Sequence, residues 1–124
     1  MTNQSPWRHG KICYLILAST DPTRSAAFYA AVFGWSTRKH DNGDLAFDDT
    51  TGAVSGMWDT SFTPREGGYE VDIWVDNVAD TASRIIAAGG TMIGELQQFT
   101  STEQYQRFRD LDGNVLGIYH HDSE

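Results

Sequence analysis

The fold is decided by residues 12–35, which read ICYLILASTDPTRSAAFYAAVFGW. An apolar run ends at Asp21-Pro22, and an amphipathic segment follows as far as Gly34. Aspartate followed by proline is typical of a helix start, because the carboxylate accepts from a free amide and proline needs no donor there. Glycine favours the left-handed conformation in which many helices end. The stretch therefore predicts a strand over residues 11–18, a turn, and a helix over residues 22–33.

The same pattern returns in residues 70–90, which read EVDIWVDNVADTASRIIAAGG. Three pairs of positions keep one offset of 56 residues: Tyr14 and Glu70, Asp21 and Asn77, and Gly34 and Gly90. One offset that holds for the strand, the helix N-cap and the glycine at the helix end indicates an internal repeat. Each copy is followed by segments with the alternation of strands, at 36–40, 45–48 and 53–58 in the first and at 91–96, 104–109 and 115–120 in the second. We expect two βαβββ modules in one α+β domain of 124 residues, at about 10–58 and 69–121 with a linker at 59–68.

The composition excludes several classes of function. A net charge of −8 argues against nucleic-acid binding, which depends on lysine and arginine, and against docking on anionic lipid. The single cysteine, Cys13, excludes an internal disulfide and fits a reducing cytoplasm. The first residues lack the apolar core of a signal peptide, and no apolar run approaches the roughly 18 residues of a membrane span. We therefore expect a cytoplasmic protein.

Two motifs carry a resemblance to a known family. Residues 21–35 contain D-P-x-R-x-x-x-F-Y-x-x-V-F-G-W, and residues 110–116 read DLDGNVL. With the repeated βαβββ order, they resemble the glyoxalase/bleomycin-resistance/extradiol-dioxygenase superfamily, also called vicinal oxygen chelate. The resemblance implies a curved mixed sheet around a cavity that, in many members, holds a divalent metal bound by His or Glu. It also implies a homodimer in which modules from both chains complete each cavity.

The metal positions that the resemblance implies fall here on Tyr14, Glu70 and Gly117. Gly117 has no side chain, and the Tyr14 phenol would have to lose a proton with a pKa of about 10. One carboxylate alone does not hold a catalytic metal. The expected cofactor is therefore none. An atypical metal site stays open as an alternative, with His9, His120 and His121 as its candidate donors. The fourth histidine, His40, borders a turn and is expected to be exposed.

A pocket for a small molecule is predicted on the face of the second module that turns away from its helix. Alternation along the strand places Glu70, Asp72 and Trp74 on that face. The full set of predicted ligand contacts is Tyr14, Trp58, Glu70, Asp72, Trp74, Tyr105, Phe108 and Tyr119, with room left for the ligand over Gly117. A carboxylate among aromatic rings has a raised pKa, which makes Glu70 the candidate catalytic base. The alternative is that Glu70 and Asp72 lie at the solvated rim or pair with Arg107 or Arg109.

Three functions follow from this pattern. The first is a metal-free enzyme of the lyase or isomerase type. The second is a protein that sequesters a cationic or aromatic compound without chemistry, as the drug-resistance members of the superfamily do. The third is a divalent-metal glyoxalase or dioxygenase with atypical ligands.

Overall fold

The computed structural model describes residue 9, residues 14–64 and residues 70–122. Its elements in chain order are β1 Tyr14–Ala18, α1 Pro22–Phe33, β2 Ser36–Lys39, β3 Leu45–Asp48, β4 Ser55–Asp59, β5 Asp72–Trp74, α2 Val78–Ala87, β6 Thr91–Gln98, β7 Gln104–Arg109 and β8 Val115–His120. The predicted βαβββ order is thus present twice, and α1, β3, β7 and β8 have the predicted bounds. Cys13 and the predicted start of the first strand lie outside the described residues.

Each module forms its own four-stranded mixed sheet. The strand order is β1-β4-β3-β2 in the first sheet and β5-β8-β7-β6 in the second. In both sheets the first strand pairs in parallel with the last, and the other pairs are antiparallel. The α+β class and the repeated module are confirmed. Neither of the two helices in the described ranges has the length and apolar character needed to cross a membrane.

The repeat is matched at the helix starts, but after the helices its left-handed glycine is displaced by one residue. The side chains of Asp21 and Asn77 each accept a hydrogen bond from the backbone amide three residues on, as helix caps do. Gly34 ends α1 with φ 76°. In α2 the left-handed residue is Gly89, with φ 102°, and not Gly90. The predicted match of Gly34 with Gly90 is therefore wrong by one position, because α2 is the shorter helix.

The Asn42-Gly43 sequence predicts a two-residue type I′ turn between β2 and β3, and the structure differs from it. That turn requires a positive φ at both Asn42 and Gly43. Only Gly43 has one, at 94°. The backbone amide of His40 donates to Asp44 at 2.8 Å, so the loop holds three residues. Only one left-handed residue is then needed, and glycine supplies it.

Stacked aromatic rings fill the core of the first module. Ring centroids are 4.7 Å apart for Tyr29 and Trp35, 4.6 Å for Trp35 and Phe47, and 4.9 Å for Phe47 and Trp58. Trp58 is only 2% exposed, so its predicted place on the pocket wall is wrong. Its partner on β1 is Leu17, which faces the core, and paired residues in neighbouring strands face the same side.

Phe108 is also fully buried in the core, and its predicted ligand contact is wrong. Tyr105 and Phe108 are three residues apart on β7. Side chains alternate along a strand, so an odd separation puts them on opposite faces. Tyr105 is the one on the outer face. Trp35 is a core residue, as expected.

The hairpin between β7 and β8 ties the second module to the first. Asp112 Oδ1 accepts from the backbone amide of Thr20 at 2.9 Å and from its hydroxyl at 2.6 Å. Asp112 Oδ2 accepts from the Ser25 hydroxyl at 3.1 Å. The side-chain amide of Asn114 donates to the backbone oxygen of Ala18 at 2.7 Å. The DLDGN motif therefore holds the turn between β1 and α1.

An Asp112→Ala substitution should lower the free energy of unfolding by about 2 kcal/mol, because Thr20 and Ser25 lose their acceptor. Partial burial works to raise the pKa of Asp112, but hydrogen bonds from Thr20 and Ser25 hold it below its ordinary value. Such a carboxylate stabilises the fold above its unfolded pKa, and the contribution is lost as the pH falls through the folded value. Urea unfolding from about pH 5 down to about pH 2 should therefore show the difference between wild type and variant shrinking. A difference that is constant across that range would contradict the assignment.

Candidate functional site

A cleft of about 710 Å³ lies beside β1, the residues that lead into β5, and the start of β8. Its volume is typical of small-molecule sites. Three large apolar side chains in it are notably exposed: Tyr14 at 44%, Ile16 at 37% and Phe62 at 48%. The strand β1 thus packs one face on the core and opens the other to the cleft. The remaining described lining residues are Leu15, Leu17, Ala18, Thr63, Glu70, Val71, Asn114, Val115 and Leu116.

Glu70 is the only charged side chain among the described residues that line the cleft. Its Oε1 lies 2.7 Å from Nε of Arg107, and its Oε2 accepts a hydrogen bond from the Tyr105 hydroxyl. Arg107 Nε also donates to the Tyr105 hydroxyl oxygen at 3.1 Å. Both oxygens of the carboxylate are therefore engaged by side chains of β7.

Asp72 completes this cluster from β5, where it pairs with Gly117 of β8. A Cβ atom on Gly117 would lie 2.2 Å from Asp72 Oδ1 and 2.7 Å from Glu70 Oε2. The two carboxyl groups therefore converge over the bare backbone of Gly117. The sequence predicted that this space is left for a ligand. That prediction is wrong, because the protein's own carboxyl groups fill it.

The two carboxyl groups have opposite pKa shifts. Burial, then the hydrogen bond and the negative charge of Glu70, raise the pKa of Asp72 to about 7. Partial burial works to raise the pKa of Glu70 as well, but hydrogen bonds from Asp72 and Tyr105 outweigh it, and the pKa is lowered. The raised pKa predicted for Glu70 is therefore wrong, and the proton of the pair resides on Asp72.

The residues at the three family metal positions do not form a donor set for a divalent metal. Gly117 contributes no donor, and the carboxylate of Glu70 is already held by Tyr105 and Arg107. Within the described ranges there is no group of three His, Cys, Asp or Glu side chains with the geometry of a metal site. Divalent sites of this kind need at least three protein ligands.

The other predicted contacts lie at the far end of β5 and β8 and do not line the cleft. Trp74 is 49% exposed and its ring centroid lies 5.1 Å from that of His120. Tyr119 and His121 have ring centroids 5.4 Å apart on the same strand end. The His120 ring is fixed by a backbone oxygen at 2.8 Å and a carboxylate at 2.9 Å. The structure therefore brings together Glu70, Asp72 and Tyr105, with Tyr14 lining the same cleft as Glu70. Tyr119 pairs with Tyr105 across β7 and β8, but neither Tyr119 nor Trp74 lines the cleft.

Phe62 is a cleft residue that the sequence analysis missed. It lies in the segment assigned as a linker, DTSFTPREGG at residues 59–68. A single large apolar residue in an otherwise polar loop could have indicated that Phe62 contacts a ligand. The ion pair between Arg107 and Glu70 was predicted only as an alternative to ligand binding by Glu70. The structure contains this ion pair.

A sequence profile of the glyoxalase-like domain family matches residues 14–118. No curated protein sequence matches the chain significantly. Among solved structures, the fosfomycin resistance protein FosX from Listeria monocytogenes is 17% identical, with a TM-score of 0.74 over 93% of this chain and 96% of that one. TioX from Micromonospora sp. ML1 is 27% identical, with a TM-score of 0.63 over 91% of this chain and 100% of that one.

A glyoxalase-related enzyme from Fulvimarina pelagi is 19% identical, with a TM-score of 0.72 over 90% of this chain and 88% of that one. Identities of 17% and 19% show a shared fold and carry no information on activity. The profile, in contrast, spans both modules and the cleft between them. The chain therefore belongs to the glyoxalase-like domain family of the glyoxalase/bleomycin-resistance/dioxygenase superfamily.

Proposed function

We propose that the cleft binds a small organic molecule and that the Glu70–Asp72 pair exchanges protons with it, in a metal-free reaction of the lyase or isomerase type. One observation carries this proposal. Two carboxyl groups share a hydrogen bond over Gly117, and one of them forms the cleft wall. Two titratable groups whose pKa values are pushed apart are the usual arrangement of an acid and a base.

The chemistry balances without an oxidant or a metal. The pair gives its proton to one atom of the ligand through Glu70 and takes a proton from another atom. The electrons of the broken bond shift within the ligand. Arg107, 2.7 Å from Glu70, is placed to stabilise negative charge that develops beside the carboxylate. A group with a pKa of about 7 transfers protons efficiently at neutral pH.

An Asp72→Asn substitution should lower kcat about 100-fold, because the amide cannot hold the transferable proton. The measurement is turnover in a screen of lyase and isomerase substrates, followed by NMR of the product. Asp80→Asn, on the exposed face of α2, makes the same carboxyl-to-amide change outside the cluster and is the control. Full turnover in Asp72→Asn would refute the proton-transfer role.

The second candidate is sequestration of a small molecule without chemistry. The three exposed apolar side chains of the cleft, Tyr14, Ile16 and Phe62, favour it, because they supply binding area irrespective of any reaction. Ligands that raise the melting temperature of the protein and are recovered unchanged would support this candidate over the first.

We further propose that the protein acts in the cytoplasm as a homodimer. The acidic chain with one cysteine suits a reducing compartment. Trp74, which is 49% exposed and lies outside the cleft, offers apolar area to a second copy. Sedimentation equilibrium that gives the mass of a single chain would contradict the dimer.

A further inference from the structure

The ion pair between Arg107 and Glu70 determines the charge that the cleft offers to a ligand. Glu70 is the only charged side chain among the described cleft residues, and its oxygens already bind Arg107 and the Tyr105 hydroxyl. Its side chain is 24% exposed, and that of Arg107 is 54% exposed. A ligand in the cleft can therefore contact the Glu70 carboxylate, whose negative charge is balanced by Arg107.

Asp72 does not add a second negative charge. It shares a hydrogen bond with Glu70, and a hydrogen bond between two carboxyl groups requires that one of them keeps its proton. The cluster then contains one carboxylate, one neutral acid and one guanidinium, with a net charge of zero. The groups of neighbouring strands that face it are Arg107 and Tyr105 of β7, and the bare backbone of Gly117 in β8.

Asn114 also lines the cleft, and its side-chain amide is not free to bind a charge. The side-chain amide of Asn114 donates to Ala18 and to Asp110, at 2.7 and 2.9 Å. The rest of the described wall is mainly apolar. A cation that enters would lose its hydration without meeting an unbalanced negative charge, and an anion would meet Glu70.

We infer that the cleft selects an uncharged, largely apolar ligand with one hydrogen-bond donor for Glu70, and that Arg107 sets this charge class. The inference rests on the proposed function only in taking the cleft as the ligand site. It replaces the cationic ligand expected from the acidic composition. Arg107 acts here as a specificity residue, because it changes which ligand the carboxylate prefers.

Three probes with the same ring test the charge class by calorimetry at about pH 6, below the Asp72 pKa of about 7: 1-naphthylmethanol, 1-naphthylmethylammonium and 1-naphthoate. Wild type should bind the alcohol most tightly. Arg107→Gln should shift the ratio of cation to alcohol affinity by roughly fivefold or more towards the cation, since Glu70 loses its partner. Arg107→Lys keeps the charge and should keep the wild-type order.

Arg38→Gln is a closely matched control. Arg38 pairs with Asp48 at 2.7 Å, with side-chain exposures of 51% and 25%, nearly the same as those of Arg107 and Glu70. The pair lies on β2 and β3, outside the cleft. Its loss changes the net charge by the same amount and should leave the order of the probes unchanged.

Three results would overturn the inference: tighter binding of the cation by wild type, no binding of any probe, or an equal shift in Arg38→Gln and Arg107→Gln. If Arg107→Gln does not fold, the double variant Glu70→Gln/Arg107→Gln removes both charges and should retain the alcohol preference. Full turnover in Asp72→Asn would refute the proposed reaction and leave the order of the probes as predicted. The two failures are therefore distinguishable.

Discussion

A Gly56→Ala substitution should lower the free energy of unfolding by about 3 kcal/mol or more, at the upper end of what overpacking costs. A Cβ atom at this position in β4 would lie 2.0 Å from the backbone oxygen of Leu15 and 2.4 Å from the ring of Phe47. The Leu15 oxygen belongs to the paired strand β1. Phe47 is held between Trp35 and Trp58, at 4.6 and 4.9 Å. Neither neighbour can move without breaking the sheet or the aromatic core.

Urea unfolding measures this effect, and Gly52→Ala is its control. Gly52 has φ 72° and no atom within 4 Å of an added Cβ. Alanine there introduces only backbone strain, of about 1 kcal/mol. A loss at Gly56 well above that at Gly52 therefore comes from crowding, because Gly56 has no positive φ to strain. Equal unfolding midpoints for Gly56→Ala and wild type would contradict the close packing of β1 on β4.

An Asp110→Ala substitution should cost about 4 kcal/mol, because several donors lose a shared acceptor in a buried site. Asp110 is 6% exposed. Its Oδ2 accepts from the Tyr29 hydroxyl and the Asn114 side-chain amide, both at 2.9 Å. Its Oδ1 accepts from the backbone amides of Asp112 and Asn114, at 3.0 and 2.9 Å. The carboxylate thus joins helix α1 to the last hairpin.

Asp110→Asn separates the loss of shape from the loss of acceptors. The amide retains one acceptor oxygen, so it should cost about half as much as alanine. Tyr29→Phe removes a single donor and should cost about 1 kcal/mol. The measurement is urea unfolding of the three variants in parallel. A loss in Asp110→Ala no larger than that in Tyr29→Phe would show that the network does not act as a unit.

The fold was predictable from the sequence because the residues that begin and end its helices act through local contacts. Asp21 and Asn77 cap their helices through an amide three residues away, and Gly34 ends α1 through its own backbone. Such signals depend on neighbours along the chain. The errors at Gly90 and at the hairpin after β2 are of one residue each, since helix length and loop size depend on packing that local signals do not report.

The candidate site was only partly predictable, because it depends on contacts between distant residues. Alternation placed Glu70 and Asp72 on one face correctly. It did not reveal that Arg107 of β7 lies against Glu70. Nor did it reveal that hydrogen bonds from Asp72 and Tyr105 lower the pKa of Glu70 while burial raises that of Asp72. Trp58 and Phe108 were predicted to line the pocket because they are aromatic, without regard to which face of the strand they occupy. Both lie in the core.

The contacts of the last hairpin also determine when the chain can finish folding. Asp112 and Asn114 hold Thr20 and Ala18, residues 92 and 96 positions earlier in the sequence. During synthesis the turn between β1 and α1 must therefore wait, without its partners, until residues 112–114 have left the ribosome. Contacts of such long sequence separation slow folding. The first module is consequently the part of the nascent protein most exposed to chaperones and proteases, although it is made first.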